Sequence, residues 1–284
     1  MLTKFTCPDG EHYPLLECLA KCRLTQRCLS LPTLRKCAEP HPLFSITGLL
    51  NGTMQEYLKA TVEYSIKPHS RAFALLGQSH HSLLESYAID EIAEKRFGNI
   101  MSGQPDLVDT ENGVTTLWDY KTWGSYRVSR FLGMTAESYD SGEIYAKSGS
   151  WGKAGSPKMA KMWTPNPLVA DTKEPTLQMN GYRMLLESSS VGHIDAMRLQ
   201  VTVRDGGLVA STSRGIDKTI YVFDIERLDD DEVELYFNSK RKALQIALNG
   251  GKANMCTTEE RWDDMRCRSY CEVSFACEYG KDVR

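Results

Sequence analysis

Residues 103–121 read GQPDLVDTENGVTTLWDYK, and this stretch predicts the centre of the fold. The runs Gln104–Asp109 and Val114–Lys121 contain many residues that favour strands, and Glu111-Asn112-Gly113 separates them. An Asn-Gly pair between two such runs is a strong hairpin signal, because both central residues of a type I′ turn need a positive φ. We therefore expect two antiparallel strands joined at this turn.

Charged side chains meet at the far end of the predicted hairpin. Side chains two residues apart on a strand share a face, so Asp119 and Lys121 project to one side and Tyr120 to the other. Pairing brings the first strand, which carries Asp106, alongside them. Two carboxylates and an ammonium group can hold a hard divalent cation and leave a positive charge beside it. A polar hairpin with a surface Asp–Lys pair is the simpler interpretation, and Asp-x-Lys alone does not exclude it.

Length and composition limit the class of protein. The 284 residues suffice for one large domain, and 41% hydrophobic and 25% charged residues are typical of globular proteins. No apolar run approaches ~18 residues, and the first ten residues lack the apolar core of a secretory signal. These features predict a cytoplasmic protein with no membrane partner. The net charge of −3 neither indicates nor excludes nucleic acid, since a local basic groove can coexist with an acidic remainder.

Eight of the nine cysteines form two sets with the same spacing, C-x10-C-x3-C-x5-C. The first set is Cys7, Cys18, Cys22 and Cys28, the second is Cys256, Cys267, Cys271 and Cys277, and Cys37 is left over. Buried cysteines that act as small apolar residues would not reproduce three intervals, whereas metal coordination requires a fixed thiol geometry. Four thiolates suit a tetrahedral zinc ion or a four-iron cluster, and a reducing cytosol disfavours disulfides.

Helices are predicted on both sides of the hairpin. Ile46–Val62 has near-helical apolar spacing, and so does the later part of Ala72–Phe97. The apolar side of this second helix is assigned to Leu83, Leu84, Tyr87, Ile89, Ile92 and Ala93, and His81 and Glu85 share another face at i and i+4. After the hairpin, helices are predicted at Thr176–Glu187, with Gln178 and Tyr182 on one face, and at Asp229–Leu248. Strands are predicted at His193–Val203 and Lys218–Phe223.

Residues 124–172 differ in composition from the rest of the chain. Gly and Ser are frequent, and basic residues alternate with aromatic ones: Lys147, Lys153, Lys158 and Lys161 with Tyr145, Trp151 and Trp163. Such a pattern suits a mobile strip along a nucleic-acid backbone. A solvated loop with tryptophan anchors is equally consistent with it.

Taken in order, these segments resemble the RecB-like branch of the PD-(D/E)xK nucleases. GQSHHSLLE at 77–85 resembles the G-x-x-x-H-x-x-x-E helix of that family, with His81 in the histidine position. Gly103-Gln-Pro-Asp106 resembles its G-x-x-D strand and Asp119-Tyr-Lys121 its D-x-K. Gln178-x-x-x-Tyr182 is similar to the Q-x-x-x-Y helix that follows. The ordered set is far more specific than any one motif.

The resemblance implies an α/β fold with a PD-(D/E)xK, restriction-endonuclease-like core, in which helices flank a mixed central sheet. That core would span 46–248, between cysteine-rich elements at 1–45 and 249–284. It also implies Mg²⁺ or Mn²⁺ at His81, Asp106 and Asp119, with the Tyr120 carbonyl as a further ligand. Lys121 would orient or deprotonate the attacking water, or stabilise charge. Glu85 would reach the metal through water or orient His81. Gln178 and Tyr182 would position the phosphate or brace Lys121.

Some members of the family bind a four-iron cluster through cysteines that bracket the nuclease core, and the terminal C-x3-C-x5-C falls in the same place. The resemblance therefore favours a 4Fe-4S cluster, while two self-contained quartets fit Zn²⁺ as well. The pattern departs from the family, which generally has C-x2-C at the front of that trio and one upstream cysteine rather than four.

The predicted function is metal-dependent cleavage of DNA, exonucleolytic on single strands or duplex ends. The sequence has no G-x-x-x-x-G-K-[ST] motif, so unwinding would come from a partner such as a helicase or recombination protein. One alternative is a metal-stabilised nucleic-acid-binding module that does not cleave, against which the intact Asp106, Asp119 and Lys121 argue. The other is a restriction-type endonuclease.

Overall fold

The computed structural model describes residues 1–24, 26–40, 42–89, 92–93, 95–98, 100–150 and 152–284. The strands are β1 Leu2–Thr6, β2 His12–Pro14, β3 Tyr64–Ile66, β4 Ile92–Ala93, β5 Leu107–Glu111, β6 Val114–Trp123, β7 Met134–Ile144, β8 Pro157–Pro165, β9 Ala196–Val203 and β10 Ile220–Asp224. The helices are α1 Leu15–Ala20, α2 Leu31–Cys37, α3 Ile46–Leu49, α4 Thr53–Thr61, α5 Ala72–Glu85, α6 Ser125–Leu132, α7 Lys173–Glu187, α8 Val209–Thr212, α9 Asp230–Leu248, α10 Met265–Ser269 and α11 Glu278–Asp282. The chain divides into two compact units. The first comprises Met1–Asp119, Leu177–Met197 and Ile225–Arg284, and the second Tyr120–Thr176 and Arg198–Asp224.

The predicted hairpin is the centre of the sheet in the first unit. Strands β5 and β6 pair antiparallel from Glu111↔Val114 to Leu107↔Trp118, and β4 pairs antiparallel with the other edge of β5. Asn112 and Gly113 have φ values of 53° and 80°, so the turn has the two positive φ angles that its sequence predicts. A hydrogen bond from the Asp195 amide to the Thr115 carbonyl continues the ladder into the start of β9.

A separate three-stranded sheet lies at the start of the chain, in the order β2-β1-β3. Strand β1 pairs antiparallel with β2 and parallel with β3, so the sheet is mixed. Phe5 of β1 is buried with Leu34 and Ile66, and Cys18 and Cys37 belong to the same apolar cluster. The first strand is therefore a central strand of its sheet and has two paired edges.

Helices α3, α7 and α9 form the apolar core of the first unit. A Cβ atom on Gly181 of α7 would come within 2.8 Å of Phe237 and 2.9 Å of Ile46, so this position of close helix approach requires glycine. Helix α9 begins at the Asp229 N-cap, whose carboxylate accepts from the amides of Asp231 and Glu232. The helix predicted at Asp229–Leu248 is thus confirmed, with Asp229 as its cap.

A buried ion-pair network fixes the end of α7. Arg183 is fully buried, and its guanidinium contacts Glu187 at 2.7 Å and Asp230 at 2.6 Å. Burial would raise the pKa of Glu187, but hydrogen bonds from the Ile194 amide, Arg227 and Arg183 outweigh it and hold this pKa below its ordinary value. Glu187 is therefore a carboxylate that the folded state prefers charged.

The second unit contains strands in the order β10-β9-β6 and a separate two-stranded ribbon of β7 and β8. Strands β9 and β10 pair antiparallel, with Leu199 opposite Phe223. The amide of Arg204 donates to the Trp123 carbonyl, as Asp195 does to Thr115 at the other end of β6, so β6 and β9 run parallel. The molecule therefore combines mixed sheets with flanking helices, as predicted at the level of an α/β class.

Three sequence-based predictions of local structure are wrong. The helix predicted at Ile46–Val62 is broken into α3, which ends at Leu49, and α4, which begins at Thr53. Helix α5 ends at Glu85, whereas Ile92 and Ala93 form β4 and pair with Val108 and Leu107. The apolar residues after Glu85 fit the helical period and the strand period equally well. The free edge of β5 favours the strand, because it offers hydrogen-bond partners to Ile92 and Ala93. Moreover, Leu83 on the predicted apolar side is 57% exposed, and no residue of α5 is buried.

Part of the basic and aromatic stretch is a β-ribbon: Lys158, Lys161 and Trp163 lie on β8, whereas Tyr145, Lys147 and Lys153 lie in the connection between β7 and β8. Strands β7 and β8 pair from Met134↔Pro165 to Ile144↔Pro157, and Lys161 lies over the Trp163 ring. Lys158 forms an ion pair with Glu143 at 2.9 Å. Trp151, which also belongs to the predicted pattern, lies outside the described residues. No helix in the described part of the chain is long and apolar enough to cross a membrane.

Candidate active site

Two buried carboxylates lie at the open end of the β5–β6 hairpin. Leu107 pairs with Trp118, so Asp106 directly precedes one member of this last pair and Asp119 directly follows the other. Asp106 is 6% exposed and Asp119 is 2% exposed. Asp106 lies just before β5 rather than on the strand, a small correction to the predicted position. Burial of a carboxylate is costly unless a polar group, a cation or a metal compensates it, so these two residues are functional candidates.

Helix α5 supplies the residue that contacts Asp106. The His81 Nδ1 atom lies 3.1 Å from Oδ1 of Asp106, and the His81 side chain is about one-quarter exposed at 26%. Glu85 follows one turn later and lines the same cleft as His81. The predicted helix face is therefore present, and it places His81 next to the first carboxylate.

Helix α7 supplies the residues at the second carboxylate. Nε2 of Gln178 donates to Oδ1 of Asp119 at 3.3 Å and to the Tyr182 hydroxyl at 3.1 Å. Both side chains are buried, as their shared helix face predicts. A Cβ atom on Gly103 would come within 2.8 Å of the Tyr182 ring, so the glycine lets this ring lie against the chain. Five predicted residues are thus gathered in the first unit: His81, Asp106, Asp119, Gln178 and Tyr182.

Tyr120 and Lys121 begin the second unit and continue β6 without interruption. Both are half-buried. Alternation along a single strand gives Lys121 the same face as Asp119 and gives Tyr120 the opposite face.

The candidate metal ligands have the donor atoms that a hard cation prefers, but in the described part of the chain they do not form a coordination shell. Within the residues that the structure describes, no three His, Cys, Asp or Glu side chains are arranged to hold a metal ion. Asp106, Asp119 and His81 nevertheless supply two carboxylates and an imidazole in a buried, hydrogen-bonded setting. Oxygen donors of this kind are those that Mg²⁺ and Mn²⁺ prefer.

A polar cleft of ≈ 430 Å³ opens beside His81. Its lining includes Lys36, Ser45, Gln78, Glu85, Arg96, Gln104 and Tyr182. Arg96 and Lys36 belong to no motif, so the sequence alone does not predict them at this cleft. Each reaches the cleft only through the tertiary arrangement of α2, α5 and the chain before β5.

His80 is a second neighbour that the sequence analysis assigned to the surface. Its side chain is half-buried, and its ring centroid lies 6.5 Å from that of His81 in an edge-on arrangement. Burial lowers the pKa of His80, and the adjacent His81 lowers it further, while Asp106 opposes both effects. A histidine pair could have signalled this, since consecutive residues on a helix project about 100° apart and both can border one site.

The second cysteine set forms a thiol cluster at one small cavity. Cys256, Cys267, Cys271 and Cys277 all line a space of ≈ 20 Å³, together with Met54 and Leu58. Burial raises the pKa of Cys256, Cys267 and Cys271, and charge on neighbouring thiols raises it further. Within the described residues, however, these thiols are not arranged to hold a metal ion, so the predicted cysteine-bound metal site is not formed at this end of the chain.

The first cysteine set also converges. Burial raises the pKa of Cys18, and charge on Cys22, Cys7 and Cys28 adds to this effect, so all four thiols are electrostatic neighbours. Cys37 is separate from them in this respect: burial raises its pKa and Arg71 opposes the shift. Cys18 is thus influenced by the other three thiols of its set, but within the described residues this set is not arranged as a metal site.

Comparison with known proteins adds little beyond this description. A scan against protein-family models finds no matching family, and a search of curated proteins finds no match. Among solved structures, the crystal structure of SSO0001 is similar at 14% identity and a TM-score of 0.45, covering 87% of this chain and 92% of that one.

Proposed function

We propose that the chain is a divalent-metal-dependent nuclease with a RecB-like PD-(D/E)xK core, which hydrolyses phosphodiester bonds of DNA at single strands or ends in the cytosol. One observation carries the proposal, namely the burial of Asp106 and Asp119 at the end of one hairpin with His81 and Gln178 as polar neighbours. Two buried carboxylates repel each other, and a divalent cation offsets both the repulsion and the lost hydration.

Each residue then has a defined task. Asp106, Asp119, His81 and the Tyr120 carbonyl would hold Mg²⁺ or Mn²⁺. When bound, such an ion lowers the pKa of a water ligand and neutralises charge on the phosphate. Lys121 orients or deprotonates the attacking water or stabilises the charge of the transition state.

The surrounding side chains hold these groups in place. Gln178 orients the Asp119 carboxylate and positions the Tyr182 hydroxyl, which in turn faces the phosphate or braces Lys121. Glu85 orients His81 or reaches the ion through water. A helicase or recombination protein would supply unwound strands.

The cysteine sets would stabilise the core as thiolate metal centres. The chemistry of four thiols at one small cavity fits zinc, and the resemblance to cluster-containing nucleases supports a 4Fe-4S centre instead. Metal binding would lower the raised thiol pKa values and couple binding to folding.

A cleavage assay tests the nuclease proposal directly. End-labelled single- and double-stranded DNA is incubated with Mg²⁺, Mn²⁺ or EDTA, and the products are resolved by length. We expect metal-dependent shortening from ends, and a loss of at least about 100-fold in rate for Asp119→Asn and for Lys121→Ala. Asp224→Asn, at an exposed residue of β10, is the matched control and should cut as the parent does.

The other outcomes separate the alternatives. Binding without cleavage in every metal would indicate the non-cleaving module, and discrete bands from plasmid DNA would indicate a restriction-type endonuclease. Equal cutting by the parent and by both site variants, all purified free of host nucleases, would place the active site elsewhere.

A further inference from the structure

The cleft beside His81 has two basic residues that the catalytic proposal does not use. Arg96 lies on the chain between β4 and β5, and Lys36 lies at the end of α2, yet both line the same cleft. Gln104 and Tyr182 line it as well, so it is continuous with the proposed active site.

Among the described residues, Arg96 has only neutral side chains as hydrogen-bond acceptors. Its Nη1 donates to the Ser102 hydroxyl at 3.2 Å and its Nη2 to Oε1 of Gln104 at 2.9 Å, and both acceptors are neutral. Among the described residues, no carboxylate forms an ion pair with Arg96. Two hydrogen bonds fix the guanidinium plane, and the remaining donors stay available for an anion.

Lys36 offers a second cation at the same cleft. Its Nζ contacts Glu39 at 2.6 Å, but both side chains are about half exposed, so this pair is weak. An incoming anion can therefore replace Glu39 as the partner of Lys36 at little cost. Arg96 is the stronger of the two candidates, because two hydrogen bonds orient its guanidinium and none of the described carboxylates forms an ion pair with it.

We propose that Arg96 and Lys36 bind backbone phosphates of one unpaired nucleic-acid strand, beside the phosphate that is cut. The inference rests on the proposed function and names its substrate as a single strand. A volume of ≈ 430 Å³ lies in the usual range of small-ligand sites, about 300–1,000 Å³, and so admits a nucleotide of one strand. A duplex, whose major groove alone is about 12 Å wide, does not fit inside it.

Equilibrium binding in EDTA tests the proposal without any need for catalysis. A fluorescein-labelled oligodeoxythymidylate is titrated with protein at several salt concentrations, and anisotropy reports binding. Each phosphate contact on a single strand contributes about −0.7 to the slope of log K against log salt. We expect Arg96→Gln to make this slope less negative by about 0.7 and to weaken binding about tenfold. Lys36→Gln should shift the slope in the same direction, and Arg96→Lys should restore most of it.

Arg35→Gln is the matched control, because Arg35 is exposed on α2 next to Lys36 but does not line the cleft. It should bind as the parent does. Parent-like affinity and slope for both Arg96→Gln and Lys36→Gln would overturn the proposal. A circular dichroism melt shows whether each variant is folded. If Arg96→Gln does not fold, the binding slope of Lys36→Gln alone tests the proposal.

Cleavage kinetics and a competitor complete the test. With a cleaving parent, Arg96→Gln should raise KM and leave kcat unchanged, and unlabelled single strands should compete far better than blunt duplex. If the parent binds the oligonucleotide through Arg96 but never cuts, the nuclease proposal fails and this one stands. If the parent cuts and Arg96→Gln binds normally, only this inference fails, and a parent that does not bind at all contradicts both.

Discussion

Replacement of Gln178 by methionine tests whether the second carboxylate is held for metal binding. Methionine keeps the length and volume of the side chain but removes the amide that donates to Oδ1 of Asp119 and to the Tyr182 hydroxyl. The substitution Gln178→Met should therefore leave packing nearly intact while it removes one group that orients the Asp119 carboxylate.

The structure sets the size of the effect. A hydrogen bond to a charged group contributes about 1.5–3 kcal/mol. The Gln178–Asp119 distance of 3.3 Å is longer than the usual range, so we take the lower end, about 1.5 kcal/mol. Since about 1.4 kcal/mol corresponds to a factor of ten, the affinity for Mn²⁺ should fall about tenfold. Loss of a partner that orients a metal ligand typically has an effect of about 10–100-fold, which agrees with this value.

Calorimetric titration with Mn²⁺ measures the affinity. Gln245→Met, at an exposed residue of α9, is the control for the substitution itself and should bind as the parent does. Asp119→Asn should abolish binding. If Gln178→Met binds Mn²⁺ as tightly as the parent while Asp119→Asn does not bind, the reasoning about orientation of the carboxylate is refuted.

Three further predictions concern the rest of the molecule. Cys267→Ser should lose one metal centre by elemental analysis and melt at a lower temperature, and a parent with neither iron nor zinc would contradict this. The pKa of Glu187 is lowered on folding, so this residue stabilises the protein above pH 4.5, its ordinary pKa, and that stabilisation is lost as the pH falls further. In urea unfolding, Glu187→Gln should make the free energy of unfolding depend less on pH in this range. A pH profile identical to that of the parent would contradict this prediction. Neutralising Lys147, Lys153, Lys158 and Lys161 together should weaken DNA binding and flatten its salt dependence, whereas an unchanged slope would exclude phosphate contacts by the ribbon.

The hairpin could be predicted because its cause is local. Asn112 and Gly113 adopt the positive φ angles that their side chains permit, and the register then follows from the turn. The segment after Glu85 could not be assigned in the same way, since an apolar run of that length satisfies both periods. Its pairing with β5 depends on residues that lie about 15 positions later in the chain.

The same distinction holds for the candidate site. His81, Asp106, Asp119, Gln178 and Tyr182 could be predicted because each belongs to a motif with fixed spacing on one element. Arg96 could not, because its position beside His81 arises only when separate segments enclose a cleft. His80 is a similar case, since its burial depends on what packs next to α5 and not on the helix itself.

Contacts between residues 51–71, which include α4, and the segment 256–280 have a consequence for the time course of synthesis. Arg266 donates to Asn51, and Arg71 contacts Glu272, across 215 and 201 positions of sequence. Leu58 is covered by Cys271 and Val273. At about 5–20 residues per second, the ribosome takes roughly 10–40 s to make the residues that separate these partners. Throughout that interval Leu58 lacks the cover that Cys271 and Val273 later provide, and a nascent-chain chaperone that binds apolar segments should be found there.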